Sequence, residues 1–285
     1  MKIIDAHVHY SRITSFHECA KHTSMVDYSE QGFLHECGEH EVVKSVCMGL
    51  VETVSGGFPD KDALMPMIAD LAENMPSGMS LCLGINPHTL NSSSLEKTED
   101  MLKNNDSVVG MKIYAGYYHV DITDSIYDPV YKLAEKYDKT IVIHTGETFS
   151  ARGLLKYSHP LRVDDLAVAH PDMRIVACHM GTPWVFDACE VAAKNPNVYI
   201  DISGILVGNA EFIETVADTP LLLDRHRQAL VFLSNYDKII YGTDWPLVPM
   251  GTYIDFCKKY IPVEHHEKVF YDNAVQVYKL KVERN

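Results

Sequence analysis

KIIDAHV, at residues 2–8, is the first of eight short runs rich in apolar and β-branched residues. The others are VVKSVCMGLV from Val42, SLCLGIN from Ser80, VVGMKIY from Val108, TIVIHTG from Thr140, RIVACHMG from Arg174, NVYIDIS from Asn197 and KIIYGTDWP from Lys238. Their apolar residues are continuous rather than alternating, which is typical of parallel strands covered on both faces. Eight such strands predict a closed barrel.

Segments with helical spacing lie between these runs. We predict helices at Asp60 to Glu73, Ser93 to Asn104, Asp128 to Tyr137, Pro183 to Lys194, Leu221 to Ser234 and Val263 to Leu280. The polar stretch Ser11 to Gly32 is predicted to be a long loop. Alternating strands and helices imply right-handed crossovers and an α/β fold, the (β/α)8 TIM barrel. No linker-like tract divides the chain, so a single domain is expected over residues 1–285.

Composition narrows the possible partners. The chain has 285 residues, with 39 Asp and Glu against 25 Lys and Arg, and its formal charge of −14 repels phosphate backbones and anionic lipids. We therefore expect a small-molecule substrate and neither nucleic acid nor membrane as partner; a homo-oligomer is left open. Seven scattered cysteines without a CxxC pair indicate reduced thiols. With no leader-like or membrane-spanning run, a soluble, cytoplasmic protein is expected.

Polar residues follow the predicted strands where each one ends. They are His7 and His9, Lys112, His144, His179, Asp201 and Asp244. In a barrel of this kind these strand ends face the mouth, where active sites are built. His7 and His9 are two residues apart on a strand, so both imidazoles point to one face and can reach one ion.

Other interpretations of these residues stay open. His144 and His179 could be core histidines that bond backbone carbonyls, and Asp244 could cap a helix that begins at Trp245. Asp201 could hydrogen-bond a ligand histidine or cap a turn. Lys112 could be an exposed lysine, a cation for the substrate or a carbamylated bridge between metals.

Several of these stretches together resemble the amidohydrolase superfamily, in particular the branch that includes aminocarboxymuconate-semialdehyde decarboxylase. The similar pieces are DAHVHY, GMKIY, IVIHTGE, SHPLRVDDLA, RIVACHMG, NVYIDISG, YGTDWP and FYDNAVQVYKL. The resemblance implies a barrel whose metal is bound by His7, His9, His144 and Asp244, with His179 beside the substrate.

The resemblance also bears on the number of metal ions. In two-metal members of the superfamily a carbamylated lysine, here matched by Lys112, bridges the ions and the position of His179 becomes a ligand. We expect one ion, because the branch that this sequence resembles typically binds one.

Three imidazoles and one carboxylate leave a coordination position open, which is typical of a catalytic site. Zn²⁺ is the expected ion, with Mn²⁺ or Fe²⁺ as alternatives, and it would lower the pKa of a bound water to about 7. Asp244 is the expected proton shuttle and His179 the group that polarises the substrate carbonyl. Lys112 and Arg152 are candidates for binding a substrate carboxylate.

Hydrolysis of an amide, lactone or ester-like bond in a small molecule is the expected reaction. The alternative is metal-dependent, non-oxidative decarboxylation of a small unsaturated or aromatic acid. A barrel that keeps the metal without catalysis is a third hypothesis. The identity of the substrate depends on loop shape, which these residues do not fix.

Overall fold

The computed structural model describes residues 1–282, and for residues 220–222 only the backbone. Eight parallel strands form one sheet in sequential order. They are β1 Ile3–Val8, β2 Val42–Met48, β3 Met79–Ile85, β4 Val108–Ile113, β5 Thr140–Ile143, β6 Ile175–Ala177, β7 Val198–Asp201 and β8 Ile239–Ile240. Each of the eight predicted runs contains one strand. The predicted end of the domain at residue 285 lies outside the described residues.

The sheet closes on itself between β8 and β1. The amide of Ala6 donates to the carbonyl of Tyr241 at 3.0 Å, and the amide of His9 donates to that of Trp245 at 2.7 Å. In the other direction, the amide of Asp244 donates to the carbonyl of His7 at 2.8 Å. The fold is therefore the predicted (β/α)8 barrel, and these bonds bring the residues after β8 beside those of β1.

Helices surround the barrel, and most of the predicted ones are confirmed. They are α1 Thr14–Cys19, α2 Glu30–Glu39, α3 Ser92–Asn104, α4 Asp128–Tyr137, α5 Leu161–Ala169, α6 Val185–Lys194, α7 Ala210–Ala217, α8 Pro220–Leu233, α9 Met250–Tyr260 and α10 Asn273–Tyr278. Single turns of π-helix cover Ala20–Ser24 and Lys268–Asp272. Turns of 3-10 helix cover Ser125–Tyr127, Leu155–Tyr157, Cys178–Gly181, Tyr236–Lys238 and Val263–His265. No helix within residues 1–282 is long and apolar enough to cross a membrane.

Two predictions for the segments between the strands were wrong, one of a helix and one of a loop. The predicted helix Asp60 to Glu73 is absent, since Pro66 in its middle lacks an amide hydrogen and Met67 instead pairs with Gly84 of β3 in an antiparallel bridge. The predicted long loop Ser11 to Gly32 contains α1 and the start of α2, whose N-cap Ser29 accepts the amide of Gly32.

The predicted helix Val263 to Leu280 is divided into three shorter helical turns and ends at Lys279, which has a left-handed backbone conformation. Helices α5, α7 and α9 were not among the predicted helices.

Two apolar layers hold the barrel together. One fills its interior and includes Ile4, Val46, Val142, Val176 and Ile240, all without exposed surface. The other lies between the strands and the surrounding helices. A packed interior of this kind fixes the strand ends rigidly, so the groups they carry at the mouth are held in place.

Candidate metal centre and active site

The predicted polar residues meet at the carboxyl ends of the strands. His7 lies in β1 and Asp201 ends β7, whereas His144 directly follows β5. His179 and Asp244 have positive φ angles of 59° and 71°, which are uncommon for residues other than glycine. Such backbone conformations cluster at functional sites, where they direct a side chain that regular structure would turn elsewhere.

His7, His9 and Asp244 form a compact set of donor atoms, all within 4.8 Å of one another. The Nε2 atoms of His7 and His9 lie 3.4 and 3.1 Å from Oδ1 of Asp244. Both Nε2 of His7 and Oδ1 of Asp244 are buried and make no hydrogen bond within the described chain. Buried acceptors without a partner are costly, and a divalent cation would satisfy them together. The residues present therefore fit a metal ion.

The hydrogen bonds of His7 assign its proton. Nδ1 lies 2.8 Å from Oδ2 of Asp201, a carboxylate that can only accept, so Nδ1 donates. Nε2 then carries a lone pair directed toward Asp244. This is the form in which an imidazole binds a metal.

The rings of His144 and His179 face each other, and their hydrogen bonds assign their protons as well. Nε2 of His144 donates to the carbonyl of Glu147 at 2.8 Å, and Nδ1 of His179 donates to the carbonyl of Ser203 at 3.1 Å. The two remaining nitrogens lie 3.1 Å apart, with lone pairs toward each other when both rings are neutral. Such a contact favours a proton or a metal ion between or beside them. His144 is therefore not part of the compact set of His7, His9 and Asp244. It contacts His179, which in turn lies beside Asp244.

Asp201 positions both histidine-bearing elements. Besides His7, it accepts the backbone amide of His179 at 3.0 Å, the amide of Ser203 at 3.0 Å and the hydroxyl of Ser203. Burial would raise the pKa of Asp201, but His7 and His179 hold it well below its usual range. Both alternatives for Asp201 therefore apply, since its carboxylate bonds a histidine of the site and also accepts the amide of Ser203 in the turn that follows β7.

Electrostatics suit metal binding at neutral pH. Burial, reinforced by Lys112, lowers the pKa of His7 from 6.5 to about 4, and burial with His179 nearby lowers the pKa of His144 well below its usual value. Burial would raise the pKa of Asp244, yet the neighbouring histidines hold it below its usual range. The site therefore presents neutral imidazoles at His7 and His144 and an ionised carboxylate at Asp244, which are the protonation states that metal ligands require.

Lys112 and Arg152, the two residues predicted to bind a substrate carboxylate, lie in different surroundings. Lys112 is buried under the site, and its Nζ lies 2.9 Å from Sγ of Cys178. Arg152 is exposed, and its guanidinium bonds the backbone carbonyls of residues 56–58 across the neighbouring loop. Arg152 does not line the cavity, so this placement gives no support to its predicted contact with a substrate carboxylate.

A cavity of about 470 Å³ opens above the candidate metal ligands. Its floor includes His9, Lys112, His144, His179 and Asp244, and its walls are mostly apolar. The aromatic wall residues are Phe16, Phe58, Tyr114, Tyr117 and Phe149. Sequence reasoning missed this wall, because its members come from loops after four different strands.

Ser203 and Asp5 were missed as well. Asp5 is fully buried and accepts the amide and hydroxyl of Thr243 and the amide of His7, which ties β1 to the segment that carries Asp244. The alternative in which Asp244 caps a helix from Trp245 does not occur, since the next helix starts at Met250. Asp5 lies in the same apolar run as His7, two residues before it, which is the signal that could have found it.

Fold and site together define a (β/α)8-barrel protein with a candidate metal centre of histidine and aspartate residues at the mouth of the barrel. The chain belongs to the amidohydrolase family, whose sequence profile matches residues 90–280. It is therefore an enzyme of the amidohydrolase superfamily, which is metal-dependent, and the sequence-based assignment is confirmed. No curated protein sequence matches the chain.

Similar solved structures share the fold over nearly the whole chain. An uncharacterized TIM-barrel protein from Bordetella bronchiseptica is 18% identical with a TM-score of 0.68, covering 98% of this chain and 99% of its own. A 5-carboxyvanillate decarboxylase from Sphingomonas paucimobilis has 15% identity, a TM-score of 0.61 and coverage of 98% and 99%. A probable 2-pyrone-4,6-dicarboxylic acid hydrolase from Acinetobacter baumannii has 16% identity and a TM-score of 0.64, and the match covers 98% of this chain and 100% of its own. At these identities the similarity shows the fold alone.

Proposed function

We propose that this protein is a metal-dependent hydrolase that cleaves an amide, lactone or ester-like bond of a small molecule. The observation that carries the proposal is the position of Asp244. Its ionised carboxylate lies against His7 and His9, lines the cavity and has an Oδ1 atom without a hydrogen-bond partner among residues 1–282. A carboxylate in that place can bind a metal and exchange a proton with a substrate.

The residues that would hold the ion are His7, His9, His144 and Asp244. Zn²⁺ suits three imidazoles and one carboxylate, although Mn²⁺ and Fe²⁺ accept the same donors. When bound, a divalent ion supplies a Lewis acid that polarises a carbonyl and increases the acidity of water. We propose one ion, because Nζ of Lys112 contacts Cys178 rather than a carboxylate or imidazole of the site.

Asp244 and His179 would perform the proton transfers and charge stabilisation. Asp244 takes a proton from the attacking water and returns it to the leaving group, as an ionised carboxylate can. His179 lines the same cavity, with Nδ1 4.0 Å from Oδ2 of Asp244, and is held by Ser203 and Asp201. A proton on Nε2, the nitrogen that faces His144, would let His179 stabilise the charge that develops on the substrate oxygen.

Decarboxylation is the second candidate, and one observation favours it specifically. Lys112 places an ammonium group at the floor of an aromatic cavity, where it could bind the carboxylate of a planar acid. Asp244 could then take a proton from water and pass it to carbon instead of to a leaving group. Members of both reaction classes occur among the similar structures.

Turnover in water enriched with ¹⁸O separates the two candidates. The zinc-loaded enzyme is offered lactones, N-acyl compounds, aromatic esters, and aromatic or unsaturated carboxylic acids. One labelled oxygen in the product acid supports hydrolysis, whereas release of CO₂ from an acid, with no label in the remaining product, supports decarboxylation and refutes our first choice. Lys112→Met is the matched variant, since it should abolish decarboxylation of acids and leave hydrolysis of uncharged esters within a few-fold.

A further inference from the structure

Lys112 and Cys178 form a buried pair beneath the active site. Lys112 is in β4 and Cys178 follows β6, so the pair spans the intervening strand β5 inside the barrel. Lys112 is 1% exposed and Cys178 is fully buried, with 2.9 Å between Nζ and Sγ. Neither side chain is one of the proposed metal ligands.

The contact leaves the lysine poorly satisfied. An ammonium group has three hydrogens to donate, and a thiol sulfur is a weak acceptor. The sulfur of Cys178 is the one hydrogen-bond acceptor of Lys112 in the described part of the chain, and no carboxylate lies within ion-pair distance there. The ring of Tyr114, with its centroid 5.6 Å from Nζ, adds a weak cation–π contact. Burying a cation with only these two contacts is costly, so the pair calls for a role beyond packing.

We propose that Lys112 and Cys178 are an oxidative modification site, at which one oxygen atom derived from dioxygen becomes a covalent bridge between Nζ and Sγ. One N–H bond and one S–H bond break, and one N–O bond and one O–S bond form. The ammonium group first releases one proton, and the resulting amine, the thiol and O₂ then yield the N–O–S bridge and one water. The O=O bond breaks, and the two O–H bonds of the water form. Nitrogen and sulfur each lose two electrons, and the four electrons reduce both oxygen atoms.

Selectivity follows from the positions of the other thiols. Cys19, Cys37, Cys47, Cys82, Cys189 and Cys257 are free, and none of them has a lysine nitrogen within hydrogen-bond distance in residues 1–282. Burial raises the pKa of the Cys178 thiol, so reagents that require a thiolate react with it slowly. Dioxygen is small and uncharged, and Lys112 lines the cavity through which it can arrive.

The bridge would change the active site in two ways. It would join the ends of β4 and β6 directly beside His179, and it would remove the positive charge of Lys112 from the cavity floor. Among the described residues that line the cavity, Lys112 is the only lysine or arginine. Oxidation would therefore weaken binding of anionic groups, whichever reaction the enzyme performs. The inference does not depend on the proposed function.

Mass spectrometry of the metal-loaded full chain tests the bridge. One sample is kept anaerobic with a thiol reductant, and the other is exposed to oxygen. We expect a gain of about 14 Da, one oxygen added and two hydrogens lost, together with a peptide that joins the segments containing Lys112 and Cys178. Both should disappear after treatment with dithiothreitol.

Three variants make the result specific. Cys178→Ser and Lys112→Arg should each abolish the joined peptide, whereas Cys189→Ser, which removes another buried thiol, should retain it. An unchanged mass after exposure to oxygen would overturn the proposal. So would a gain of about 32 Da on Cys178 without a joined peptide, which indicates a sulfinic acid, or a loss of about 2 Da, which indicates a direct S–N bond.

Discussion

Replacing Asp201 by asparagine should weaken metal binding without removing any ligand. Three donors converge on Oδ1 of Asp201, the amides of His179 and Ser203 and the Ser203 hydroxyl, while Nδ1 of His7 donates to Oδ2 at 2.8 Å. If the amide oxygen of asparagine keeps the three donors, its NH₂ group faces Nδ1 of His7. The proton of His7 must then move to Nε2, which removes the lone pair directed at Asp244.

Loss of such a partner of a metal-bound histidine typically costs 10- to 100-fold in affinity, or about 1.4–2.7 kcal/mol. We expect a change of that size in the zinc dissociation constant of Asp201→Asn, measured by competition with a chromophoric chelator. Asp165→Asn is the control, because Asp165 is exposed and pairs with Arg162 at the surface, away from the site. A folded Asp201→Asn variant that binds zinc within about threefold of the parent would refute the argument.

Three further expectations follow from the same geometry. His7→Ala should empty the site in elemental analysis after dialysis, whereas His179→Asn should keep the ion and lose about 10²–10³ in turnover; equal metal loss would show that His179 is a ligand. In the metal-free chain, the pKa of His7 lies at about 4 against 6.5 when unfolded, so the unfolded state binds more protons below pH 6.5. His7 should therefore contribute about 3 kcal/mol to the free energy of unfolding at neutral pH, and this contribution should be lost as the pH falls from 6.5 to 4. Denaturant titrations measure it, and a free energy of unfolding that does not change over this pH range would contradict the expectation. Arg152→Ala should accelerate amide hydrogen exchange in the loop at residues 56–58 with unchanged zinc content, whereas Arg225→Ala, which removes an exposed bond to a carbonyl elsewhere, should not.

The barrel could be predicted from the sequence because its strands are buried on both faces. That burial demands continuous apolar runs, and all eight runs contain a strand. The segment between β2 and β3 was harder, since Asp60 to Glu73 has helical spacing but Pro66 prevents a helix and Met67 pairs with β3. A hydrophobic pattern does not report such backbone pairing.

The positions of the candidate metal ligands could be anticipated for a related reason. Parallel strands of a closed barrel all end at one face, so His7, His9 and Asp244 must lie near each other once the fold is known. The contact between Lys112 and Cys178 could not be predicted from the sequence, because it joins strands that are not neighbours and depends on the width of the barrel interior. The role of Arg152 was equally inaccessible, since it depends on how two irregular loops meet.

The charge of the cavity limits which substrates the second candidate reaction can use. Asp244 and Glu147 line the cavity, and the whole chain carries a formal charge of −14, so an anionic substrate is repelled until it meets a cation. A decarboxylase must bind an acid and therefore needs the metal and Lys112 together, whereas a hydrolase of uncharged esters or lactones needs the metal alone. Because Lys112 contacts a thiol and no carboxylate, its ammonium is free of a competing anion within residues 1–282. The chemical state of Lys112 thus decides whether acids can bind, while Asp244 can serve either reaction.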